Sequence, residues 1–283
     1  MVSALYSLTL TYPSFDPVAL KLGPVWIRWY GLAYVAGLLI GWAYIRRLVT
    51  SPKLWSGPAP LTLDQVDMLL LWVMAGVVLG GRVIGVMLYD PAPYIRDPLE
   101  IFRTWHGGMA FHGGLIGVII AILLFAYRHA LRPLAIGDLV ATVVPVGLFF
   151  GRIANFVNGE LWGRASDAPW AMVFPDRDAG PLPRHPSQLY EAGLEGLALG
   201  LVLWWLVTRG WLQRKGFLTG AFLAGYGVAR SFCELFREGD TIWLFPSAPM
   251  PAGMMYSLPM VAIGGWMMWR VARSPAGLGG ART

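Results

Sequence analysis

The chain has 283 residues, of which 56% are apolar and only 13% are charged. Soluble domains average about half apolar and a quarter charged residues, so this composition excludes an ordinary soluble domain and predicts an integral membrane protein. The single cysteine, Cys233, cannot form an internal disulfide, and the sequence has no Cys/His zinc pattern. Redox-disulfide and structural-zinc functions are therefore excluded.

Seven apolar stretches are long enough to cross a membrane, which takes roughly 20 helical residues. They run near Trp26 to Ile45, Asp67 to Leu88, Met109 to Tyr127, Ile136 to Phe156, Gln188 to Thr208, Phe217 to Phe236 and Met254 to Val271. The first twenty residues lack the features of a removable signal peptide, so the first helix is expected to remain as an anchor. We predict an all-α integral membrane protein of about seven transmembrane helices, with residues 1–283 forming a single transmembrane domain.

The basic residues outside the apolar stretches indicate how the helices are oriented. One set of segments carries eleven Lys and Arg residues and the other carries eight, and the richer set is expected to face the cytoplasm. This places the N-terminus outside the cytoplasm and the C-terminus inside. The connection 158–187, rich in Pro, Gly and Asp, then forms a small extracytoplasmic head. The net charge of +6 belongs to the inner face and gives no reason to expect a nucleic-acid partner.

Glycines four residues apart recur within the apolar stretches. The pairs are Gly37 and Gly41, Gly76 and Gly80, Gly81 and Gly85, and Gly113 and Gly117. Small residues at this spacing let helix backbones approach closely inside a membrane, where the hydrophobic effect does not drive helix association. The glycine pairs therefore predict helix packing and not chemistry.

Polar side chains within the predicted spans gather near the extracytoplasmic helix ends. Ionisable groups are costly in a bilayer and are functional candidates by default. Three sets each follow one helix face. These are Arg152, Asn155 and Asn158; Gln188, Glu191 and Glu195; and Tyr226, Arg230, Glu234 and Arg237. Tyr30, Arg82 and His112 lie at a similar depth on the first three helices.

Two or three arginines at one depth suit a phosphodiester, because the guanidinium fork matches phosphate oxygens and stays charged when buried. A nearby histidine implies a proton to be moved. Arg152 has no carboxylate three or four positions away, which favours an exogenous anion as its partner. The pattern therefore predicts displacement chemistry at a phospholipid headgroup.

Several of these residues also have a structural interpretation. The alternatives are an i, i+4 ion pair for Arg230 with Glu234, a carbonyl hydrogen bond for His112, an interfacial position for Tyr30, a solvated loop position for Glu160, an ordinary turn for Gly163, and either role for Glu191 and Glu195. Cys233 is interpreted as a small buried residue.

Five sequence blocks resemble one enzyme family. The segment GRIANFVNGELWGR, Gly151 to Arg164, is similar to the signature of the bacterial phosphatidylglycerol:prolipoprotein diacylglyceryl transferases. The other similar blocks, which occur in the family order, are IRWYG from Ile27, WHGGMAFHGGLIG from Trp105, RHPSQLYEA from Arg184 and YGVARSFCELFRE from Tyr226.

The resemblance implies a multi-pass enzyme of the bacterial inner, or cytoplasmic, membrane, with a periplasmic N-terminus, a cytoplasmic C-terminus and an active site facing the periplasm. It would transfer the diacylglyceryl group of phosphatidylglycerol to the lipobox cysteine thiol of a prolipoprotein signal peptide. A thioether would form and glycerol 1-phosphate would be released, as the first step of bacterial lipoprotein maturation. The implied partners are phosphatidylglycerol, the prolipoprotein signal peptide and the lipid bilayer, and no metal or other cofactor is required.

The resemblance also implies roles for individual residues. Arg152 would bind the lipid phosphate, Arg230 would hold the departing phosphate or the reacting headgroup, and His112 would be the candidate base for the thiol proton. The residues expected to bind substrate or support the pocket are Tyr30, Asn155, Asn158, Glu160, Gly163, His185, Tyr226, Glu234 and Arg237.

Two other functional classes compete with this interpretation. A lipid flippase or transporter would use the same arginines without breaking a bond, but its midplane sites and symmetry-related broken helices are not evident in the sequence. An intramembrane protease would need paired aspartates, an HExxH motif or a serine beside a membrane histidine, and none is evident.

Overall fold

The structure is a computed structural model. It describes residues 10–13, 15–23, 25–88, 95–97, 99, 101, 103, 108–239, 241–245 and 248–274, so residues 105–107 of the sequence block that begins at Trp105 lie outside the described residues. The chain divides into two compact units, one formed by Met1–Gly41 with Val140–Thr283 and the other by Trp42–Leu139. The prediction of a single catalytic domain stays a prediction.

Long helices dominate both units. They are α1 (Trp29–Val49), α2 (Leu63–Leu88), α3 (Phe111–Arg128), α4 (Pro133–Ala141), α5 (Val144–Asn158), α6 (Ser187–Thr208), α7 (Phe217–Cys233) and α8 (Ala252–Arg273). Single turns of 3₁₀ helix occur at Pro52–Leu54, Arg177–Ala179 and Trp211–Gln213. Within α6, residues Ala192–Ala198 form a π-helical segment.

The helices confirm a mostly helical chain of membrane type. Among the described residues, four helices (α1, α2, α3 and α6) are long and apolar enough to cross a membrane, and the number is five if the bent pair of α4 and α5 forms one span. Helix α7 has only 17 residues, and α8 does not meet the same test of length and hydropathy. The seven spans and their orientation therefore stay predictions.

Three short two-stranded sheets were not predicted from the sequence. Strand β1 (Leu10–Thr11) pairs in parallel with β4 (Met172–Val173), β2 (Val18–Leu22) pairs antiparallel with β3 (Val25–Arg28), and β5 (Thr241–Phe245) pairs antiparallel with β6 (Ala248–Pro251). Because β3 occupies the residues just before Trp29, the first helix begins there and not at Trp26. The turn between β2 and β3 includes Gly23 at a φ of +58°, which glycine adopts without strain.

In the unit Trp42–Leu139, α2 and α3 pack through their glycines. A methyl group on Gly80 would lie 2.3 Å from the Gly113 carbonyl oxygen, and one on Gly117 would lie 2.0 Å from that of Gly76. These distances are too short for any side chain, so the predicted packing role of these glycines is confirmed. At the other end of α2, Arg46 donates to both carboxylate oxygens of Asp67.

In the other unit, close contacts also join α5 to α6 and α7 to α8. A methyl group on Gly196 of α6 would lie 2.7 Å from Cβ of Phe149 on α5. One on Gly227 of α7 would lie 2.9 Å from the Ser257 carbonyl oxygen on α8. These small residues bring the helices that carry the polar stripes close to their neighbours.

The connection between α5 and α6 forms a compact layer with the N-terminal strand. Tyr12, Phe156 and Phe174 are buried together with Ala179. The Tyr12 hydroxyl donates to the carbonyl of Phe156 at 2.5 Å, and burial raises the pKa of this phenol. The predicted head segment 158–187 is therefore fastened to residues from the start of the described chain.

Candidate functional site

Three arginines and three glutamates form one buried ion-pair network, which we call the Arg/Glu cluster: Arg152 of α5, Glu191 and Glu195 of α6, Arg230 of α7, and Glu234 and Arg237 after α7. All six residues belong to the unit Met1–Gly41 with Val140–Thr283. The cluster thus joins the polar stripes that the sequence placed on three separate helices.

Arg152 and Arg230 share the two glutamates of α6. The Nε atom of Arg152 lies 2.6 Å from Oε2 of Glu191, and its Nη2 lies 3.7 Å from Oε2 of Glu195. Nη1 of Arg230 lies 3.4 Å from Oε2 of Glu191 and 3.6 Å from Oε1 of Glu195. Glu191 therefore bridges the two guanidinium groups, and Glu195 lies slightly farther from each.

Glu234 and Arg237 complete the network. Arg230 is 3.1 Å from Glu234 at the i, i+4 spacing that the sequence suggested. Arg237 donates to Oε1 of Glu191 at 2.9 Å, and its Nε lies 3.7 Å from Glu234. Gly253 at the start of α8 leaves room for the Glu234 carboxyl, because a methyl group there would lie 2.6 Å from it.

The two signs of charge differ in exposure. The side chains of Glu191 and Glu195 are 0% exposed and that of Glu234 is 3% exposed, whereas those of Arg152, Arg230 and Arg237 keep 19%, 14% and 15%. The arginines thus retain accessible surface while the carboxylates beside them do not. An anion approaching this cluster meets guanidinium groups.

The absence of a carboxylate three or four positions from Arg152 favoured an exogenous anion as its partner, yet Glu191 and Glu195 also reach Arg152 from another helix. The spacing rule considers only residues of the same helix. The arginines are therefore paired with carboxylates of the chain itself before any exogenous anion binds.

The π-helical segment of α6 coincides with this cluster. It starts directly after Glu191 and includes Glu195. π-Helical turns are rare and occur frequently at functional sites. Here the segment also includes Gly196, whose contact with Phe149 sets the distance between α6 and the helix that carries Arg152.

The residues after Arg152 hold Glu160 in place. The side-chain amides of Asn155 and Asn158 donate to its Oε1 at 2.7 Å and 3.2 Å, and Gln188 donates to its backbone carbonyl at 2.6 Å. Glu160 is therefore a partly buried loop residue that two side-chain amides hold in place. Gly159 ends α5 at a φ of +70° and allows the chain to turn back toward these amides.

Gly163 lies where three segments cross. It forms a β-bridge with Arg237, and its N–H donates to the His185 carbonyl at 2.9 Å. A methyl group on Gly163 would lie 2.5 Å from the Phe236 carbonyl oxygen. Gly163 is therefore not an ordinary turn glycine, since it permits the backbone contact that positions Arg237.

His185 lies at the edge of this crossing. Its Nδ1 is 3.0 Å from the Tyr190 hydroxyl, which also accepts a hydrogen bond from Trp170. Burial lowers the pKa of His185, and the nearby Asp167 carboxylate opposes this effect. A neutral imidazole at neutral pH follows, which suits a hydrogen-bonding role.

The remaining expected residues lie in different places. Tyr226 stacks on Phe222 of the same helix and interacts electrostatically with Glu195 and Arg230. Tyr30, at the start of α1, forms a hydroxyl–hydroxyl hydrogen bond of 3.0 Å with Tyr34. His112 lies in the first turn of α3, in the unit Trp42–Leu139, and its catalytic role stays a prediction. Cys233 is buried, as expected.

The sequence left some important residues undecided or unnoticed. Glu191 and Glu195 were divided evenly between structure and function, although their i, i+4 spacing at the depth of two arginines was a usable signal. Gly196 and Gly253 were missed because the groups they accommodate come from other segments.

Comparisons with known proteins identify the family of the chain. Residues 17–270 match the family model described as prolipoprotein diacylglyceryl transferase. Three similar proteins are named phosphatidylglycerol--prolipoprotein diacylglyceryl transferase. The protein of Methylocella silvestris is 53% identical, and the match covers 90% of this chain and 93% of that protein. The protein of Nitrobacter winogradskyi is 52% identical, with 91% of this chain and 88% of that protein covered. The protein of Allorhizobium ampelinum is 49% identical, with 99% of each chain covered.

Proposed function

The chain belongs to the prolipoprotein diacylglyceryl transferase family, and from this premise we propose that the Arg/Glu cluster is the place where it performs that transfer. The protein is a transferase that moves the diacylglyceryl group of phosphatidylglycerol to a prolipoprotein. The acceptor is the thiol of the lipobox cysteine in the signal peptide. The product is a thioether, and glycerol 1-phosphate leaves.

The observation that supports this location is the meeting of Arg152, Arg230 and Arg237 at one buried site where each keeps some accessible surface. A guanidinium group binds phosphate oxygens through two parallel hydrogen bonds and keeps its charge in a poorly hydrated site. The buried glutamates hold the arginines in fixed positions before the lipid arrives. Such preorganisation is what stabilises charge that develops during a reaction.

The reaction is a displacement at carbon. The thiol loses its proton, and the sulfur attacks the carbon of the diacylated glycerol that is bonded to the phosphate oxygen. The C–O bond breaks, and its electron pair leaves with the phosphate as a monoester. Arg152 binds the phosphate of the lipid, and Arg230 stabilises the negative charge that grows on the leaving oxygen.

We assign to His112 the role of the base that removes the proton from the cysteine thiol. A cysteine thiol has a pKa of about 8.5 and is mostly protonated at neutral pH, so the reaction needs a base. Imidazole is the side chain that most often fills this role. The support for His112 is its place in the block that resembles the family, from Trp105 to Gly117.

The remaining site residues shape the pocket. Asn155 and Asn158 donate hydrogen bonds to Glu160 near Arg152. Glu234 forms an ion pair with Arg230, and Gly163 forms a β-bridge with Arg237. The His185 carbonyl accepts a hydrogen bond from Gly163. We assign substrate contact or pocket support to Tyr30 and Tyr226 as well.

The protein works in the bacterial inner membrane with about seven spans, a periplasmic N-terminus and a cytoplasmic C-terminus. In this orientation the Arg/Glu cluster faces the periplasmic side, where an exported signal peptide presents its cysteine. The excess of basic residues in the opposite connections supports this assignment.

The proposed function is tested by incubating the purified protein with phosphatidylglycerol and a lipobox peptide. The peptide mass should increase by one diacylglyceryl unit, and the same peptide with serine in place of cysteine should stay unchanged. A flippase would move lipid between leaflets without changing the peptide mass, which would contradict the proposal.

The same assay tests the arginines. Arg152→Lys and Arg230→Lys keep the positive charge but lose the bidentate fork, so each should reduce the rate about 100- to 1000-fold. Arg209→Lys, at the opposite end of α6, is the matched control and should keep the rate. Thermal unfolding of each variant separates lost catalysis from lost folding. Normal turnover by both site variants would mean that phosphate needs only a diffuse positive field.

A further inference from the structure

Glu195 differs from the other two carboxylates of the Arg/Glu cluster. Glu191 accepts a hydrogen bond from Arg237, and Glu234 accepts one from Arg230. Within the described part of the chain, neither carboxylate oxygen of Glu195 has a hydrogen-bond partner, and its side chain is 0% exposed. Its nearest guanidinium nitrogens are 3.6 Å and 3.7 Å away.

The formal charges of the cluster balance before any substrate binds. Three guanidinium groups carry three positive charges, and three carboxylates carry three negative ones. A phosphodiester headgroup brings one more negative charge into the same site. An uncompensated charge in a poorly hydrated interior is costly, so one negative charge must be neutralised when the headgroup binds.

Glu195 is the carboxylate that can be neutralised with the least loss. Protonating Glu191 would weaken a bridge to all three arginines, and protonating Glu234 would weaken its hydrogen-bonded pair with Arg230. Glu195 makes no hydrogen bond that a proton would displace. Its two long contacts to Arg152 and Arg230 would also be the ones replaced when these arginines turn to a phosphate.

We propose that Glu195 is a proton-linked counter-ion of the headgroup site. In the empty site its carboxylate is ionised and balances Arg152 and Arg230. When a phosphodiester binds to these arginines, the Glu195 carboxylate takes up one proton from solvent and becomes a neutral carboxylic acid. No bond of the lipid breaks in this step, and the charge of the cluster with its ligand returns to zero. The proposal rests on the proposed function, because it assumes that the headgroup binds here.

Among the described residues, charged and titratable groups from three helices and the segment after α7 interact electrostatically with Glu195. They are Arg152 of α5, Glu191 of its own helix, Tyr226, Arg230 and Cys233 of α7, and Arg237 beyond it. The three arginines already have carboxylate partners. A bound phosphate therefore adds an unbalanced negative charge beside Glu195. The carboxylate among these neighbours is Glu191, and it accepts a hydrogen bond from Arg237.

The proposal predicts how lipid binding depends on pH. A binding step that takes up one proton weakens as pH rises, by up to about tenfold per pH unit above the pKa of the group in the empty site. The experiment measures equilibrium binding of phosphatidylglycerol to the purified protein between pH 5.5 and pH 9, without peptide, so that no transfer occurs. Wild-type affinity should fall across part of this range.

The variant Glu195→Gln carries no charge to titrate. It should bind phosphatidylglycerol at high pH as tightly as the wild type does at low pH, with little pH dependence. The exposed Glu238, which follows α7 and pairs with Arg184 of the head, provides the matched control, since Glu238→Gln should keep the wild-type slope. Thermal unfolding of both variants reports whether the fold is retained.

Three outcomes would overturn the proposal. They are equal pH slopes for wild type and Glu195→Gln, a wild-type affinity that does not change with pH, and loss of lipid binding at every pH in a folded Glu195→Gln protein. The last would make Glu195 a structural partner of the arginines. A parallel transfer assay with peptide separates the two proposals, because pH-linked binding without transfer contradicts only the proposed function, and transfer without pH-linked binding contradicts only the role of Glu195.

Discussion

At the level of single residues, the carboxylate of Glu191 joins Arg152 and Arg230 into one group. Depth and helical spacing in the sequence predict that these two arginines lie together. The contacts themselves were not predictable, because an ion pair between helices depends on which helix faces which. For the same reason the sequence does not indicate which amide groups contact Glu160.

The role of His112 is a question for a single substitution. If its imidazole removes the thiol proton, His112→Gln should lower the transfer rate about 100- to 10,000-fold, which is the usual contribution of a general base. Lipid binding should barely change. Raising the pH should partly restore the rate, because more of the peptide thiol ionises without help as the pH approaches its pKa.

The measurement is the transfer rate against pH for the wild type and the variant. His129→Gln is the matched control at the other end of the same helix, and it should behave like the wild type. A variant that loses lipid binding and recovers nothing at high pH would identify His112 as a headgroup ligand or a packing residue.

At the level of elements, helix positions and glycine contacts were predictable, whereas strands and the π-helical segment were not. The seven apolar stretches correspond to described helices, with the fourth divided between α4 and α5. Strand β1 pairs with β4, more than 150 residues later, and no local pattern indicates such a partner. The π-helical segment Ala192–Ala198 has no local sequence signal, and it packs against α5 at Gly196.

Two glycines of the π-helical segment give an internally controlled test of that packing. A methyl group on Gly196 would lie 2.7 Å to 2.9 Å from Phe149, whereas one on Gly193 would meet nothing within 4 Å. Gly196→Ala should therefore push α6 away from α5 and lengthen the ion pairs of Arg152. We expect a stability loss of about 1–3 kcal/mol and a rate reduction of up to about 100-fold from misplaced site groups.

Gly193→Ala should leave both quantities close to the wild type. Thermal unfolding and the transfer rate, measured on the same preparations, provide the comparison. Equal effects of the two substitutions would mean that the contact with Phe149 does not position the cluster.

At the level of the whole molecule, aromatic and basic residues lie together near the C-terminal ends of α6 and α8. Four arginines lie over tryptophan rings near the ends of α6 and α8 and in the turn that follows α6. The pairs are Arg209 with Trp205, Arg214 with Trp211, Arg270 with Trp266 and Arg273 with Trp269. Tryptophan and arginine together are typical of the membrane interface, and basic residues favour the cytoplasmic side.

This arrangement makes the orientation of α6 testable. Its 22 residues span about 33 Å at 1.5 Å per residue, enough for the roughly 30 Å of hydrocarbon in a bilayer. The exposed Asp167 in the head and the exposed Gln213 in the turn after α6 flank this helix. In a Cys233→Ser background, which removes the single native thiol, each position can carry a new cysteine.

A membrane-impermeant maleimide added to intact spheroplasts should label Asp167→Cys and leave Gln213→Cys unlabelled until the membrane is opened. The physical reason is that a charged reagent cannot cross the hydrocarbon core, so it reads only the periplasmic side. Labelling of Gln213→Cys alone would indicate the opposite orientation of α6. The Arg/Glu cluster would then face the cytoplasm, where an exported lipobox cysteine is not presented. Labelling of both positions from outside would mean that α6 does not cross the membrane, and the accessibility of the cluster to lipid would then require a different explanation.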